Sequence, residues 1–283
     1  MNILVLGASG MLGNAVIRLL SEKKDWNVFG TLRSANPGLA SKAPNARLLA
    51  DIDVNQANSL LRAFLEARPK VVINCIGLVK QLKTAEDSLE AIPINSLLPH
   101  QLARLCDLAG ARLIHFSTDC VFSGSKGQYL ESDFADAGDI YGRAKLLGEV
   151  DYANAVTLRT SIIGHELNGT RSLISWFLSQ KGTIKGFTNA VFSGLPTCEQ
   201  ARIVRDFVIP NENLRGVYHV SAKPISKFDL LTLVNEEYGT GISIEADEKL
   251  KIDRSLDSTR FNKATNYQAP EWPTLISQMR AFG

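Results

Sequence analysis

The sequence predicts an α/β fold, a doubly wound parallel sheet with a smaller C-terminal lobe. Three observations predict it. Short apolar runs alternate with stretches of helical periodicity through the N-terminal half. The first run is apolar at successive positions, as expected of a strand covered on both faces. A glycine-spaced turn then joins that run to the first helical stretch.

The elements follow in order. Residues 2–6 read as the first strand and 11–20 as the first helix. Further strands are expected at 26–30, 47–50, 71–74 and 112–117, with helices at 57–67 and 97–109. Most of these spacings leave the dozen or so residues that a parallel crossover needs. Past residue 160 the alternation weakens. There 171–180 reads as a helix, 187–196 as a loop with glycine and proline breakers, and 216–220 as a strand. Residues 226–238 read as a helix capped by Ser226, and 272–279 as a last helix. No linker, repeat or low-complexity segment divides the chain. The expected organisation is a nucleotide-binding core at 1–165 and, at 166–283, mainly a substrate lobe with some segments returning to the core.

Composition narrows the function. Thirty-one Lys+Arg against 29 Asp+Glu leave a net charge of +2, which offers no basic field for a nucleic acid and no acidic excess for disorder. Cys75, Cys106, Cys120 and Cys198 form no CxxC pair and no zinc spacing, so reduced thiols and no metal are expected. The first apolar run is too short for a signal peptide or a membrane span. A cytoplasmic protein without a membrane partner is the expectation.

Gly7-Ala8-Ser9-Gly10-Met11-Leu12-Gly13 stands between the first strand and the first helix. Glycine at this spacing permits the turn, brings backbone close to a diphosphate, and lets helix pack on sheet. The helix N-terminus adds free N–H groups and partial positive charge. Gly7, Ser9, Gly10, Met11 and Leu12 are therefore candidate dinucleotide contacts. After the second strand comes Gly30-Thr31-Leu32-Arg33-Ser34, with no acid for a ribose 2′-hydroxyl. Arg33 suits a 2′-phosphate through a charge-assisted contact, so NADPH is expected, with NADH as the other candidate. Asp51 and Ile52 follow the third strand, where Asp51 suits the adenine amino group or equally a cap. Cys75, Ile76 and Gly77 follow the fourth, where small residues let backbone run along a cofactor. Cys75 reads as a packing residue rather than a nucleophile, since no His or Lys adjoins it.

Tyr141-Gly142-Arg143-Ala144-Lys145 places Tyr and Lys on one helical face. A phenol titrates near pH 10, and an adjacent ammonium is expected to lower that value and tune the group as an acid. By itself the pair also fits a plain surface helix. Thr118, at the end of the fifth strand, points a hydroxyl into the crevice where ligands of such sheets bind, or else serves as a turn or cap.

The glycine loop, Thr118, Tyr141 and Lys145 together resemble the short-chain dehydrogenase/reductase superfamily, in its extended, sugar-nucleotide branch. Ser117-Thr118-Asp119-Cys120-Val121-Phe122-Ser123-Gly124 is most similar to the corresponding stretch of dTDP-4-dehydrorhamnose reductases, and Leu158-Arg159-Thr160-Ser161 and Gly194-Leu195-Pro196-Thr197 are similar to later ones. The resemblance implies a Rossmann-type fold and NADPH-dependent reduction of the C4 ketone of a nucleotide-linked 4-keto-6-deoxy sugar, for surface polysaccharide or deoxysugar synthesis. It implies Tyr141 as proton donor, Lys145 on the nicotinamide ribose, Thr118 on the carbonyl and Asp119 near a sugar hydroxyl. A homodimer is an expectation from the resemblance alone.

Two residues depart from that pattern: Ile162 stands where an aromatic residue is usual, and Cys120 where a tyrosine is common. They leave the sugar and the base open. A 4,6-dehydratase would want Asp-Glu after the threonine, where this chain has Asp119-Cys120. A C4-epimerase would want the missing acid after the second strand. A catalytically silent NADP-binding subunit often loses Tyr or Lys, and this chain keeps both. His165 and Glu166 read as structural or substrate-facing, and Arg254, Asp257 and Arg260 as a solvated segment or a substrate contact. Trp176, Phe187 and Phe192 read as core packing.

Overall fold

The computed structural model describes residues 1–80, 83–167 and 169–283. In the N-terminal half, β1 (Asn2–Leu6), α1 (Met11–Leu20), β2 (Asn27–Thr31), α2 (Pro37–Lys42), β3 (Arg47–Leu49), α3 (Ala57–Ala67) and β4 (Val71–Asn74) follow one another. A short helix, α4 (Ser88–Ala91), a π-helical stretch (Ile92–Leu97) and α5 (Leu98–Ala109) lead to β5 (Arg112–Thr118). After α6 (Ile140–Leu147) comes β6 (Ala155–Thr160).

The remainder is made of shorter pieces: β7 (Ile162–Ile163), α7 (Leu173–Leu178), β8 (Thr183–Phe187), β9 (Ala190–Phe192), β10 (Leu195–Pro196) and α8 (Thr197–Ile203). Then come β11 (Gly216–His219), β12 (Ile225–Ser226), α9 (Lys227–Tyr238), β13 (Ser243–Asp247), β14 (Ile252–Asp253), α10 (Thr259–Thr265) and α11 (Trp272–Phe282).

Seven strands form one sheet in the order β11-β6-β5-β4-β1-β2-β3, every pair parallel. The order reverses between β1 and β4, and such a switch point opens a crevice at the carboxyl ends of the strands. The apolar runs read as strands because both faces are covered. Ile3 and Val5 join a core with α1, α8 and α11, while Leu4 and Leu6 join a second core with α3 and α5. Each such side chain contributes about 1.5–3 kcal/mol on leaving water, so the central strands anchor the sheet.

Two expectations change. The stretch 187–196 is not a loop throughout: β9 pairs with β12 and β14, and β10 pairs with β7. Partners distant in sequence make these strands, overriding the local glycine and proline signals. The helix expected at 171–180 shortens to α7, whose Ser172 hydroxyl accepts from Ser175 N–H as its cap. The cap expected at Ser226 is present, accepting from Asp229 N–H. Strand β11 and helix α8, both beyond residue 165, belong to the main sheet and its covering layer, α8 lying along α1.

Candidate active site

The glycine turn is built by close approach. Gly7 has φ +78°, and its N–H donates to Thr31 Oγ1 at 3.1 Å. A Cβ on Gly13 would stand 2.1 Å from the Gly7 carbonyl oxygen, so only glycine lets α1 start this near the turn. No side chain caps the N-terminus of α1. Ser9 and Gly10 are exposed, Met11 is half-buried and Leu12 is buried. Among the described residues no side chain therefore takes up the first-turn N–H groups, which suits a diphosphate.

The other candidate cofactor residues border the same edge. Arg33 is exposed beyond β2. Asp51 is exposed with φ +57°, and its carbonyl accepts from Arg62 Nη2 at 2.8 Å, while Ile52 is buried. Asp53 accepts from Asn55 N–H and so acts as a turn residue. Cys75, Ile76 and Gly77 continue from β4. Burial drives the Cys75 thiol well above its usual range, which keeps it protonated and fits packing rather than nucleophilic chemistry.

Thr118, Tyr141 and Lys145 come together at the neighbouring strand ends. Thr118 closes β5; its hydroxyl accepts from Cys120 N–H at 3.1 Å and donates to Asp119 Oδ1 at 3.2 Å. Helix α6 starts at an Asp139 cap that accepts from Gly142 N–H at 2.7 Å and from Lys80 Nζ at 2.6 Å. A Cβ on Gly142 would lie 2.3 Å from the Cys120 carbonyl oxygen, so this glycine lets α6 press against the end of β5. Lys145 is 5 % exposed and donates to the Phe116 carbonyl at 2.7 Å. Its Nζ stands 3.8 Å from where a Cβ on Gly77 would be, linking this cluster to the expected cofactor track.

The electrostatics differ from the sequence expectation in one respect. Burial pushes the Tyr141 phenol up, with Cys120, Asp119 and Asp139 adding to the rise and the Thr118 hydroxyl opposing it. Lys145 spends its ammonium on the Phe116 carbonyl instead of lowering the phenol. Burial brings Lys145 itself down to about 8, against a raising effect of Glu149. Burial also raises Asp119, partly offset by Arg254. The Tyr141 phenol therefore keeps its proton at neutral pH, while Lys145, four residues on in the same helix, is brought down to about 8.

Sequence reasoning missed the groups that hold these residues in place. Asn95, in the π-helical stretch, clamps Leu78 with both amide ends: Oδ1 accepts from its N–H at 2.9 Å and Nδ2 donates to its carbonyl at 3.1 Å. Glu149 pairs with Arg159 at 2.5 Å, both side chains 6 % exposed, and accepts from Ser117 Oγ at 2.6 Å. Arg159 also meets His219 Nε2 at 2.9 Å. No local motif announces partners drawn from so many elements. Arg254, singled out in the sequence, donates from Nε to the Phe122 carbonyl at 2.7 Å, and its charge reaches Asp119 and Cys120. Arg260 lies away from these groups, over the Tyr218 ring. His165 meets the Tyr238 hydroxyl at 2.8 Å, and Glu166 accepts from Arg171 and Ser172 N–H. Phe192 is buried as expected, whereas Trp176 is 38 % exposed.

Among the described residues no cluster of three or more His, Cys, Asp or Glu suits a metal, and no helix is long and apolar enough to cross a membrane.

Known proteins are similar to this chain along most of its length. The chain is 31% identical to a probable low-salt glycan biosynthesis reductase of Haloferax volcanii, over 77% of this chain and 74% of that one. It is 26% identical to methionine adenosyltransferase 2 subunit beta of Danio rerio, over 93% and 88%. Among solved structures, a dTDP-4-dehydrorhamnose reductase of Clostridium acetobutylicum superposes with a TM-score of 0.80 at 22% identity, covering 99% of each chain, which shows the shared Rossmann-type fold. Residues 1–279 match the family described as RmlD substrate binding domain, and the chain belongs to that family.

Proposed function

We propose that the protein reduces the C4 ketone of a nucleotide-linked 4-keto-6-deoxy sugar with NADPH, as a dTDP-4-dehydrorhamnose reductase does. The observation that carries this reading is the convergence of Thr118, Tyr141 and Lys145 at the strand ends beside an uncapped glycine turn. Reductases of that name among the relatives support it, including one of Aggregatibacter actinomycetemcomitans, 22% identical over 99% of this chain.

The residues present fit a dinucleotide. Gly7, Ser9, Gly10, Met11 and Leu12 would hold its diphosphate, Arg33 its 2′-phosphate, Asp51 and Ile52 its adenine, and Cys75, Ile76 and Gly77 its inner edge. NADPH bound there supplies the hydride. Thr118 donates to the sugar carbonyl and fixes it beside Tyr141. Tyr141, protonated at neutral pH, gives its phenolic proton to the oxygen as negative charge develops there, a role worth about 10²–10⁴ in rate. Lys145 supplies positive charge next to that transfer and a donor for the nicotinamide ribose. Asp119 accepts from a sugar hydroxyl. Arg33, with no acid after β2, supports NADPH over NADH. Four free thiols among the described residues support a cytoplasmic setting.

The test is NADPH oxidation by the purified protein with dTDP-4-dehydrorhamnose. Turnover is expected, and Tyr141→Phe lowers it at least about a hundredfold with NADPH affinity unchanged. Normal turnover by that variant overturns the assignment. A second reading, a cofactor-binding subunit of another enzyme, draws support from the match to the methionine adenosyltransferase subunit along nearly the full chain. It predicts tight NADPH binding and no oxidation with any 4-keto sugar.

A further inference from the structure

A cavity of about 320 Å³ lies on the far flank of α1, bounded by α2 and its cap, the loop after β7, the start of α8 and the end of α11. None of the residues given a role in the proposed reaction lines it; His165 and Glu166, which the sequence left as structural or substrate-facing, do.

Its polar groups are mostly donors with capacity to spare. Asn14 is 5 % exposed and lines the cavity, and its amide forms no hydrogen bond among the described residues. The Oδ1 end is sealed off without a partner, which leaves Nδ2 as the end that meets the cavity. An amide N–H₂ without a protein partner at the wall of a cavity is a donor available to an acceptor bound there. Arg18 lies 3.7 Å above the Phe282 ring and spends Nη2 on the Phe282 carbonyl at 2.8 Å, with no carboxylate of the described residues paired to it. Asn36 Oδ1 is occupied by Leu39 N–H, so its amide N–H₂ is the free end. Lys42 is exposed at the rim, and its charge reaches His165, which burial and Lys42 together keep neutral. The one acidic side chain in the wall, Glu166, already accepts from two backbone N–H groups.

We propose that this cavity binds a small oxyanion, either inorganic phosphate or the phosphate group of a phosphomonoester, held by Asn14, Arg18, Asn36 and Lys42. Two cations and two amide donors around one space match the several acceptor oxygens of a tetrahedral anion. The anion would accept from Asn14 Nδ2 and give Arg18 an ion-pair partner beside its bond to the Phe282 carbonyl, and the volume leaves room for an organic group esterified to the phosphate.

The test is calorimetric titration of the full chain with inorganic phosphate against chloride at constant ionic strength. NADPH is present at saturation, so that the phosphate positions of the glycine turn are filled. Saturable binding is expected. Lys42→Glu, a surface change, weakens it by about tenfold, and Asn14→Asp abolishes it by placing a negative charge in the wall. An unchanged NADPH affinity in Lys42→Glu shows that the variant is folded. Phosphate binding that does not saturate, or that Lys42→Glu leaves unaltered, overturns the proposal. Titration with glucose 1-phosphate separates the sources: tighter binding than phosphate assigns the site to a phosphomonoester, and weaker binding assigns it to the free ion.

Discussion

The two ends of the crevice are made differently. At the glycine turn the chain offers backbone: uncapped N–H groups, exposed Ser9 and Gly10, and a helix brought close by the absence of a Cβ on Gly13. At the Thr118–Tyr141–Lys145 cluster it offers side chains, with Lys145 fixed on the Phe116 carbonyl and Thr118 between Cys120 N–H and Asp119, and further side chains brace their surroundings. Asp139 caps α6, Asn95 clamps Leu78 near Gly77, and the Glu149–Arg159 pair grips Ser117 beside Thr118. In the proposed reaction the first end would bind by shape and need little support. The second would have to keep the Tyr141 proton and the buried Lys145 ammonium in place, and a polar scaffold surrounds it.

Four experiments sharpen or break that contrast. The largest effect is expected where the scaffold is cut. Glu149→Ala leaves Arg159 buried without its counter-charge, so denaturant unfolding should report a loss of about 3–5 kcal/mol. An unchanged midpoint would mean that the pair contributes nothing to holding β5 and β6. Next is the backbone end. Gly13→Ala forces a methyl against the Gly7 carbonyl, and thermal melts should show about 1–3 kcal/mol of destabilisation together with weakened NADPH binding. If NADPH affinity survives, the turn is not the diphosphate site.

A smaller effect is expected at an exposed side chain of the same end. Arg33→Ala should raise the NADPH dissociation constant about tenfold and leave that for NADH unchanged. Equal losses for both cofactors would remove Arg33 from the 2′-phosphate. The smallest is a pH effect at the buried end. Lys145 needs its proton to act, and burial has brought it down to about 8, so turnover should halve near that pH and continue to fall above it. Stability should move the other way. The unfolded lysine holds its proton up to 10.5, so between about 8 and 10.5 the unfolded state binds more protons and this group's contribution to stability rises with pH. A pH–rate profile beside denaturation curves at the same pH values checks both signs.

The same contrast explains what was legible in the sequence. Glycine spacing and the mainly apolar runs 2–6 and 71–74 state the sheet and its turn directly, because two-sided burial favours apolar residues at successive positions, whereas in 112–117 Arg112, His115 and Ser117 stand among Leu113, Ile114 and Phe116. Strand β6 is harder to read. Thr157 and Arg159 interrupt its apolar pattern, and they are buried because Thr157 bonds Val150 and Arg159 meets Glu149 and His219. Helix α2 escaped notice as a six-residue element carried by an Asn36 cap and Pro37. The short strands beyond residue 160 take their identity from partners such as Ile252–Asp253 against Ala190–Val191. At the site, Tyr141, Lys145 and Thr118 stand out by spacing and context. Asn95, Glu149 and Arg159 do not, since their significance lies in what they touch across the fold.

The π-helical stretch at Ile92–Leu97 has a consequence for comparing sequences. Leu98 N–H reaches back five residues to the Pro93 carbonyl, so this turn holds one residue more than an α-helical turn would. A relative that runs a plain α-helix through this segment has one residue fewer there. An alignment drawn without a gap then sets every position of α5 against the wrong neighbour, turning inward leucines such as Leu102 onto the register of outward ones. Placing a one-residue gap beside Asn95 restores the correspondence.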